Sequence, residues 1–365
     1  KKLIDLGVKP IPLDMLPLME GIEEDEDLKD MYWGYGQKIL RAAKIVKRHD
    51  NFYGVYITNF GCGPDSFITH FFKKTIKGKP FLQLEIDEHS ADAGIITRLE
   101  AFLDSIKNAK VEKKIEAFKP VIFTRDGNNR RVYIPYMCDH SIALSGAFKA
   151  CGVDAEVMAE SDESTVILGR RFTTGKECYP CILTTGDMIK TTQREDFDPE
   201  RSAFFMPSGS GPCRFGQYNR FHRLVLDELG YKNVPIYAPN QDDRFYKELH
   251  ILGDKFSRLG WRAIVATDMV IKLLHETRPF EINMGETDRV YKKAIRLIKE
   301  SVERGGEDLE SLLQGILKEF LSIKKTDEKK PIVGIVGEIY IRSNRFSNND
   351  LVRKIEEFGG VAWLA

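Results

Sequence analysis

Apolar positions follow two rhythms along this chain. From Tyr32 to Val46 they recur at helical spacing, and Phe52 to Thr58 is a strand-like run. That run ends in the turn Asn59-Phe60-Gly61-Cys62-Gly63-Pro64, and Asp65 to Lys74 reads as the next helix. Phe81 to Ile86 predicts a second buried strand. Gly94 to Ile106 predicts an amphipathic helix with apolar residues at 95, 96, 99, 102, 103 and 106. Upstream, Val8 to Leu13 is a short apolar stretch, and the charge run from Glu23 to Asp27 reads as a solvated helix start.

Charged residues 111–119 read as a link to a second unit, which begins with a strand at Val121 to Phe123 or at Val132 to Pro135. A helix then runs from Asp139-His140-Ser141 to about Ala150 and stops at Cys151-Gly152. Val153 to Met158 predicts a strand, Thr165 to Leu168 a strand or a turn of helix, and Gly175 to Cys181 a loop that feeds a helix through about Lys190. Ala203 to Met206 predicts a strand before the glycine-rich loop 208–213. A helix from Tyr218 to Leu229 and a strand from Val234 to Ala238 follow. Residues 245–325 read as mostly helical, and 331–365 as strand (Ile332–Ile341), helix (Asn349–Phe358) and strand (Val361–Leu364). Strand–helix alternation of this kind predicts an α/β protein: flavodoxin-like or Rossmann-like parallel-sheet domains with an intervening helical segment. The expected division is 1–115 (α/β, with the Cys62 loop) and 116–250 (α/β, with Cys178, Cys181 and Cys213), then 251–328 (helical) and 329–365 (β-α-β).

Composition narrows the function. The 365 residues carry 55 Lys+Arg and 55 Asp+Glu, so no net charge draws the chain to nucleic acid or to a membrane surface. Apolar runs such as Pro331 to Val336 fall far short of a bilayer span, and no secretion signal is read, so a cytoplasmic location is expected. Both termini read as cuts within a longer chain.

Six cysteines, at 62, 138, 151, 178, 181 and 213, bring in chemistry. In a chain of this length a clustered subset points to metal or redox work rather than to a disulfide scaffold. Cys178-Tyr179-Pro180-Cys181 is a C-x-x-C, a spacing that serves zinc, an iron–sulfur cluster or thioredoxin-type exchange. No thioredoxin-like strand order surrounds it, and zinc usually takes two such pairs close in sequence. Cys62 and Cys213 each sit in a Gly/Pro loop after a strand, where open α/β sheets place their ligands. Backbone N–H groups in such loops, and a helix start at Cys181, stabilise a negatively charged thiolate-ligated cluster. Any one of these cysteines could be an ordinary buried residue; four in such positions point to an iron–sulfur cluster held by Cys62, Cys178, Cys181 and Cys213.

Cys138 and Cys151 stand at opposite ends of one predicted helix, roughly 18 Å apart at 1.5 Å per residue. No single cubane reaches both. Cys138 follows a strand and is a candidate fifth ligand, whereas Cys151 reads as a structural thiol. Glu85, Asp87, Glu88 and His89 follow the second strand and read as loop carboxylates paired with Arg98, and Asp139 reads as a helix cap. Loop 208–216 lacks the Lys-Ser/Thr of a phosphate loop, and no G-x-G-x-x-G opens a helix, so no nucleotide site of known type is expected.

The segments Thr58 to Phe67, Leu84 to His89 with Thr97 to Phe102, Gly175 to Cys181 and Gly211 to Tyr218 resemble those of acyl-CoA dehydratase activase-related proteins. This group is similar to the catalytic subunits of 2-hydroxyacyl-CoA dehydratases and benzoyl-CoA reductases, and to the double-cubane cluster proteins of anaerobes. The resemblance covers nearly the whole chain. It implies a partner, separate or fused: an ATPase of the actin-like sugar-kinase fold that drives electrons at low potential into this chain's [4Fe-4S] or larger eight-iron cluster. It allows a homodimer. The dehydratases use three cysteines and leave one iron open to substrate, whereas four candidates here would close that iron. Two functions follow: a cluster-bearing reductase, or a dehydratase-like lyase, activated by the ATPase; and a non-catalytic electron-transfer or cluster-carrying module. An open iron beside a pocket marks the enzyme, and a buried, fully cysteine-ligated cluster marks the carrier.

Overall fold

The computed structural model describes residues 1–18, 28, 31–89, 91–109, 130–241 and 245–364. The charge run 23–27, the charged stretch 111–119 and the strand option at Val121 lie outside these residues. The chain folds into two units assembled from non-contiguous stretches. The first takes Lys1–Pro120, Thr173–Cys178 and Gly209–Phe221; the second takes Val121–Phe172, Tyr179–Ser208 and His222–Ala365.

In the first unit, helix α1 (Gly34–Arg48) precedes strand β1 (Gly54–Thr58), helix α2 (Asp65–Ile76), strand β2 (Phe81–Glu85) and helix α3 (Asp92–Lys107). The two strands pair in parallel, Thr58 opposite Glu85, so both chains leave the sheet at the same edge. The apolar face of α2 supplies Phe67, Ile68, Phe71, Phe72 and Ile76 to the interior, and Tyr56 of β1 meets Phe72 edge-on. Residues 8–13 form no strand.

The second unit holds a four-stranded parallel sheet. Strand β3 (Arg131–Ile134) lies between β4 (Ala155–Val157) and β5 (Ser202–Phe205), and β6 (Ile236–Tyr237) flanks β5. Helix α4 (His140–Ala150) follows β3; α5 (Glu163–Arg170) and α6 (Tyr179–Thr192) lie between β4 and β5. The stretch at Thr165 is therefore helix, started by Asp162, whose carboxylate accepts the Thr165 N–H while the Thr165 hydroxyl accepts the Asp162 N–H. Helix α7 (Tyr218–Glu228) follows the Cys213 loop, and its chain passes from the first unit to the second after Phe221.

Long helices α8 (Phe256–Thr277), α9 (Glu286–Glu303) and α10 (Leu309–Ser322) bury Ala263, Val270, Ile298, Val302 and Phe320 in one cluster with Val132, Ala147, Phe148 and Ala203. At the end, β7 (Ile332–Ile335) and β8 (Val361–Leu364) pair in parallel around two short helices, α11 (Ile339–Ser343) and α12 (Leu351–Glu357). The strand expected to reach Ile341 stops at Ile335: Gly337 takes a φ of 128°, and the Glu338 carboxylate accepts the Ile341 N–H to start α11. Among the described residues no helix is long and apolar enough to cross a membrane.

Candidate functional site

The Cys62 loop leaves the carboxyl end of β1. Phe60, Gly61 and Gly63 all take left-handed backbone angles, φ 55°, 58° and 58°, so the chain coils tightly around Cys62 and leaves its side chain exposed. A side chain at Gly61 would meet Lys176 at 2.9 Å. The loop is anchored where it enters α2, because the Asp65 carboxylate accepts from the Tyr56 hydroxyl at 2.8 Å and the Thr58 hydroxyl at 2.5 Å.

The Cys178 loop is organised by the residue before the cysteine. The Glu177 side chain is fully buried. It accepts the Thr174 N–H at 3.0 Å, the Thr174 hydroxyl at 3.0 Å and the Lys176 N–H at 3.1 Å, and it lies 2.5 Å from His70 Nε2 on α2. Burial pushes its pKa up, but the His70 and backbone hydrogen bonds outweigh burial and hold it down at about 2. The next side chain back, Lys176, pairs with Glu85 at the end of β2.

The Cys213 loop is held from α1 and its approach. The Tyr32 hydroxyl donates to the Cys213 carbonyl at 2.6 Å, and Trp33 Nε1 donates to the Gly211 carbonyl at 3.1 Å. Burial, then the neighbouring Cys213, pushes the Tyr32 phenol up to about 12. Arg214 joins all three loops. Its Nη1 donates to Ser66 Oγ at 2.9 Å and to the Lys176 carbonyl at 2.9 Å. Beneath them Phe67 stacks on Tyr218 at 5.8 Å, and Phe221 meets both Phe67 and His70 edge-on.

Three of the four expected ligands therefore sit in the first unit on loops tied to one guanidinium. All are free thiols: Cys62 and Cys213 are exposed, and Cys178 is half-buried. Among the described residues no three His, Cys, Asp or Glu side chains stand together as a metal site. The donor chemistry fits an iron–sulfur cluster, and the loop backbones are brought together; the sulfur atoms themselves are not. A cavity of about 450 Å³ adjoins the loops, walled by Gly61, Ser66, His70, Arg98 and Lys176.

The other cysteines divide differently. Cys181, in the first turn of α6, belongs to the second unit and is wholly buried, so the C-x-x-C straddles the two units. Cys151 closes α4 and packs against the core. Cys138 lies just before α4, and its Sγ is 3.1 Å from His140 Nδ1; His140 Nε2 is 2.7 Å from Asp268 on α8. Burial would lower the His140 pKa, but the Cys138 and Asp268 interactions outweigh it and raise it to about 9.

Two local expectations fail. Asp139 stands at the cap position of α4 but caps nothing, because Tyr136 and Tyr291 each hold its carboxylate at 2.5 Å. Glu85 pairs with Lys176 rather than Arg98, and Asp87 accepts the His89 N–H at 2.9 Å. The residues that sequence reasoning passed over are Glu177, His70, Arg214 and Asp268. Glu177 and Arg214 each adjoin a motif cysteine, whereas nothing in the sequence links Asp268 to His140. Neither a protein-family model, nor a curated protein, nor a solved structure matches this chain.

Proposed function

We propose that this chain is an iron–sulfur protein whose cluster is held by Cys62, Cys178 and Cys213, and that it works as the low-potential redox component of an ATP-driven system. The observation that carries this reading is Arg214, which ties the loops bearing these three thiols to one another. Bound there, a [4Fe-4S] cluster would supply one-electron chemistry at low potential. Gly61 and Gly63 bring backbone N–H groups close to such a cluster, and Lys176 and Arg214 offset its negative charge. The eight-iron form needs more thiolates than these three.

Three thiols in place of four favour the enzyme over the carrier. A carrier closed by cysteine would also use Cys181, whose side chain is wholly buried whereas those of Cys62 and Cys213 are exposed. A cluster on three thiols keeps an iron for a non-protein ligand, and the cavity of about 450 Å³ beside these loops gives a substrate somewhere to sit. The reaction at that iron is a reduction or a dehydratase-like elimination. Electrons come from an ATP-hydrolysing activator, separate or fused, as the family resemblance implies. A cytoplasmic setting, a homodimer and the absence of nucleic-acid or membrane partners are parts of the same proposal.

Anaerobic purification tests it. Brown protein with roughly four irons per chain is expected. Cys62→Ser, Cys178→Ser and Cys213→Ser should each lose most of the iron, while Cys181→Ser keeps it. Iron loss in Cys181→Ser together with the other three would restore the four-thiol carrier. Stoichiometric zinc without visible absorption would end the cluster reading altogether.

A further inference from the structure

Helix α4 carries a half-buried cysteine near each end, and their surroundings differ. Cys151 packs against the core. Cys138 faces an imidazole that is itself held by a carboxylate, with Sγ–Nδ1 at 3.1 Å and Nε2–Oδ1 of Asp268 at 2.7 Å. With Nε2 donating to Asp268, Nδ1 faces the sulfur and can hold the proton that the thiol gives up. This is the arrangement that a thiol nucleophile needs: a base in contact and a third group orienting the base. The three residues open onto a cavity of about 800 Å³ with a largely apolar wall, including Ile264, Ile271, Tyr340, Val361 and Trp363. At the start of α4 the Ser141 and Ile142 N–H groups donate to the Cys138 and Asp139 carbonyls, at 3.0 and 3.1 Å, which fixes the backbone that carries Cys138.

We propose that Cys138, His140 and Asp268 form a thiol acyl-transfer site, and that this cavity takes carboxylic esters with an apolar acyl chain. Cys138 Sγ attacks the carbonyl carbon and its proton passes to His140 Nδ1. The S–C bond forms, the C–O bond breaks, and the proton goes from His140 to the departing alkoxide, which leaves as the alcohol. Water then attacks the thioester, giving the carboxylic acid and the free thiol. Asp268 is a positioning residue. None of the three belongs to the cluster proposal above, so either can fail without the other.

The probe is p-nitrophenyl butyrate, given to the full chain and followed by nitrophenolate release and by mass spectrometry of peptides. A butyryl group on Cys138 and none on the equally half-buried Cys151 is the expected result. His140→Asn should slow acylation about 10²-fold. Asp268→Asn should lower kcat about tenfold with KM unchanged, since it orients the base without touching the ester. Circular dichroism of each variant should match the parent. No adduct on Cys138, equal labelling of Cys151, or an unchanged rate in a folded His140→Asn would overturn the proposal. So would loss of the cluster signal in Cys138→Ser, which would make Cys138 a ligand.

Discussion

The Arg214 guanidinium donates to the Lys176 carbonyl across 2.9 Å, which ties the residue after Cys213 to the residue two before Cys178. The same nitrogen reaches Ser66 Oγ, in the first turn of α2 after the Cys62 loop. Three stretches far apart in sequence are thus fixed by one side chain. Arg214→Ala should leave the core folded, at a cost of about 1–3 kcal/mol, while cutting the iron content of anaerobically purified protein by more than half. Arg214→Lys, with a single ammonium, should fall between the two. Full iron in the alanine variant would mean that the loops do not depend on this tie.

Glu177 makes the Cys178 loop sensitive to acid. Its carboxyl is held at about 2, below its ordinary 4.5. The stability it contributes is complete above pH 4.5 and is lost as the pH falls from there towards about 2. After allowance for solvent screening, the contribution is about 1–2 kcal/mol. Glu177→Gln should therefore destabilise the protein at pH 7 by about that amount and flatten its denaturation profile over the acid range. Urea titrations at pH 7 and pH 3 measure both. A variant whose loss is the same at each pH would show that Glu177 acts by shape alone.

How much of this was legible in the chain depends on the distance over which each feature is decided. The strand–turn–helix at Cys62 and the helix ending at Cys151-Gly152 follow from local spacing and turn chemistry, and both form as read. The parallel pairing of β1 with β2 follows from the helix between them. Local rules fail where a distant partner decides. Asp139 looks like a cap, yet Tyr291, far along the chain, claims its carboxylate. Glu85 is taken by Lys176, and Cys138 gains its relay from Asp268, with no periodicity to announce either pairing. Cys181 reads as a ligand from its C-x-x-C, and its place in the first turn of α6 leaves it wholly buried, which the spacing alone does not announce.

Gly216 tests the Cys213 loop from its far side. A Cβ there would lie 2.1 Å from the Gly209 carbonyl oxygen and 2.7 Å from the Tyr32 hydroxyl. That hydroxyl is the one bonded to the Cys213 carbonyl. Backbone cannot yield as a flexible side chain would, so Gly216→Ala should cost about 1–3 kcal/mol and displace Tyr32. Near-ultraviolet circular dichroism should change, and iron content should fall. A variant with parental spectrum, stability and iron would mean that the loop shifts without consequence for Cys213.

Asp187 should give the second unit a pH dependence of the opposite sign. It lies in the middle of α6, 2% exposed, and its carboxylate accepts from Ser161 Oγ at 2.7 Å and Thr165 Oγ1 at 2.9 Å. Burial outweighs both hydrogen bonds and raises its pKa from 3.8 to about 6. Between those values the folded chain holds a proton that the unfolded chain has released. Stability from this group is therefore greatest below pH 3.8 and is lost as the pH rises through about 6. At neutral pH the buried charge costs about 2–3 kcal/mol. Asp187→Asn keeps the shape, stays neutral, and can retain both hydrogen bonds because a hydroxyl accepts as readily as it donates. The variant should be more stable than the parent at pH 7.5, by up to that amount, and nearly equal to it at pH 4. Paired urea titrations at the two pH values decide the matter. A variant weaker than the parent at both would show that the ionised carboxylate organises Ser161 and Thr165 in a way that the amide cannot.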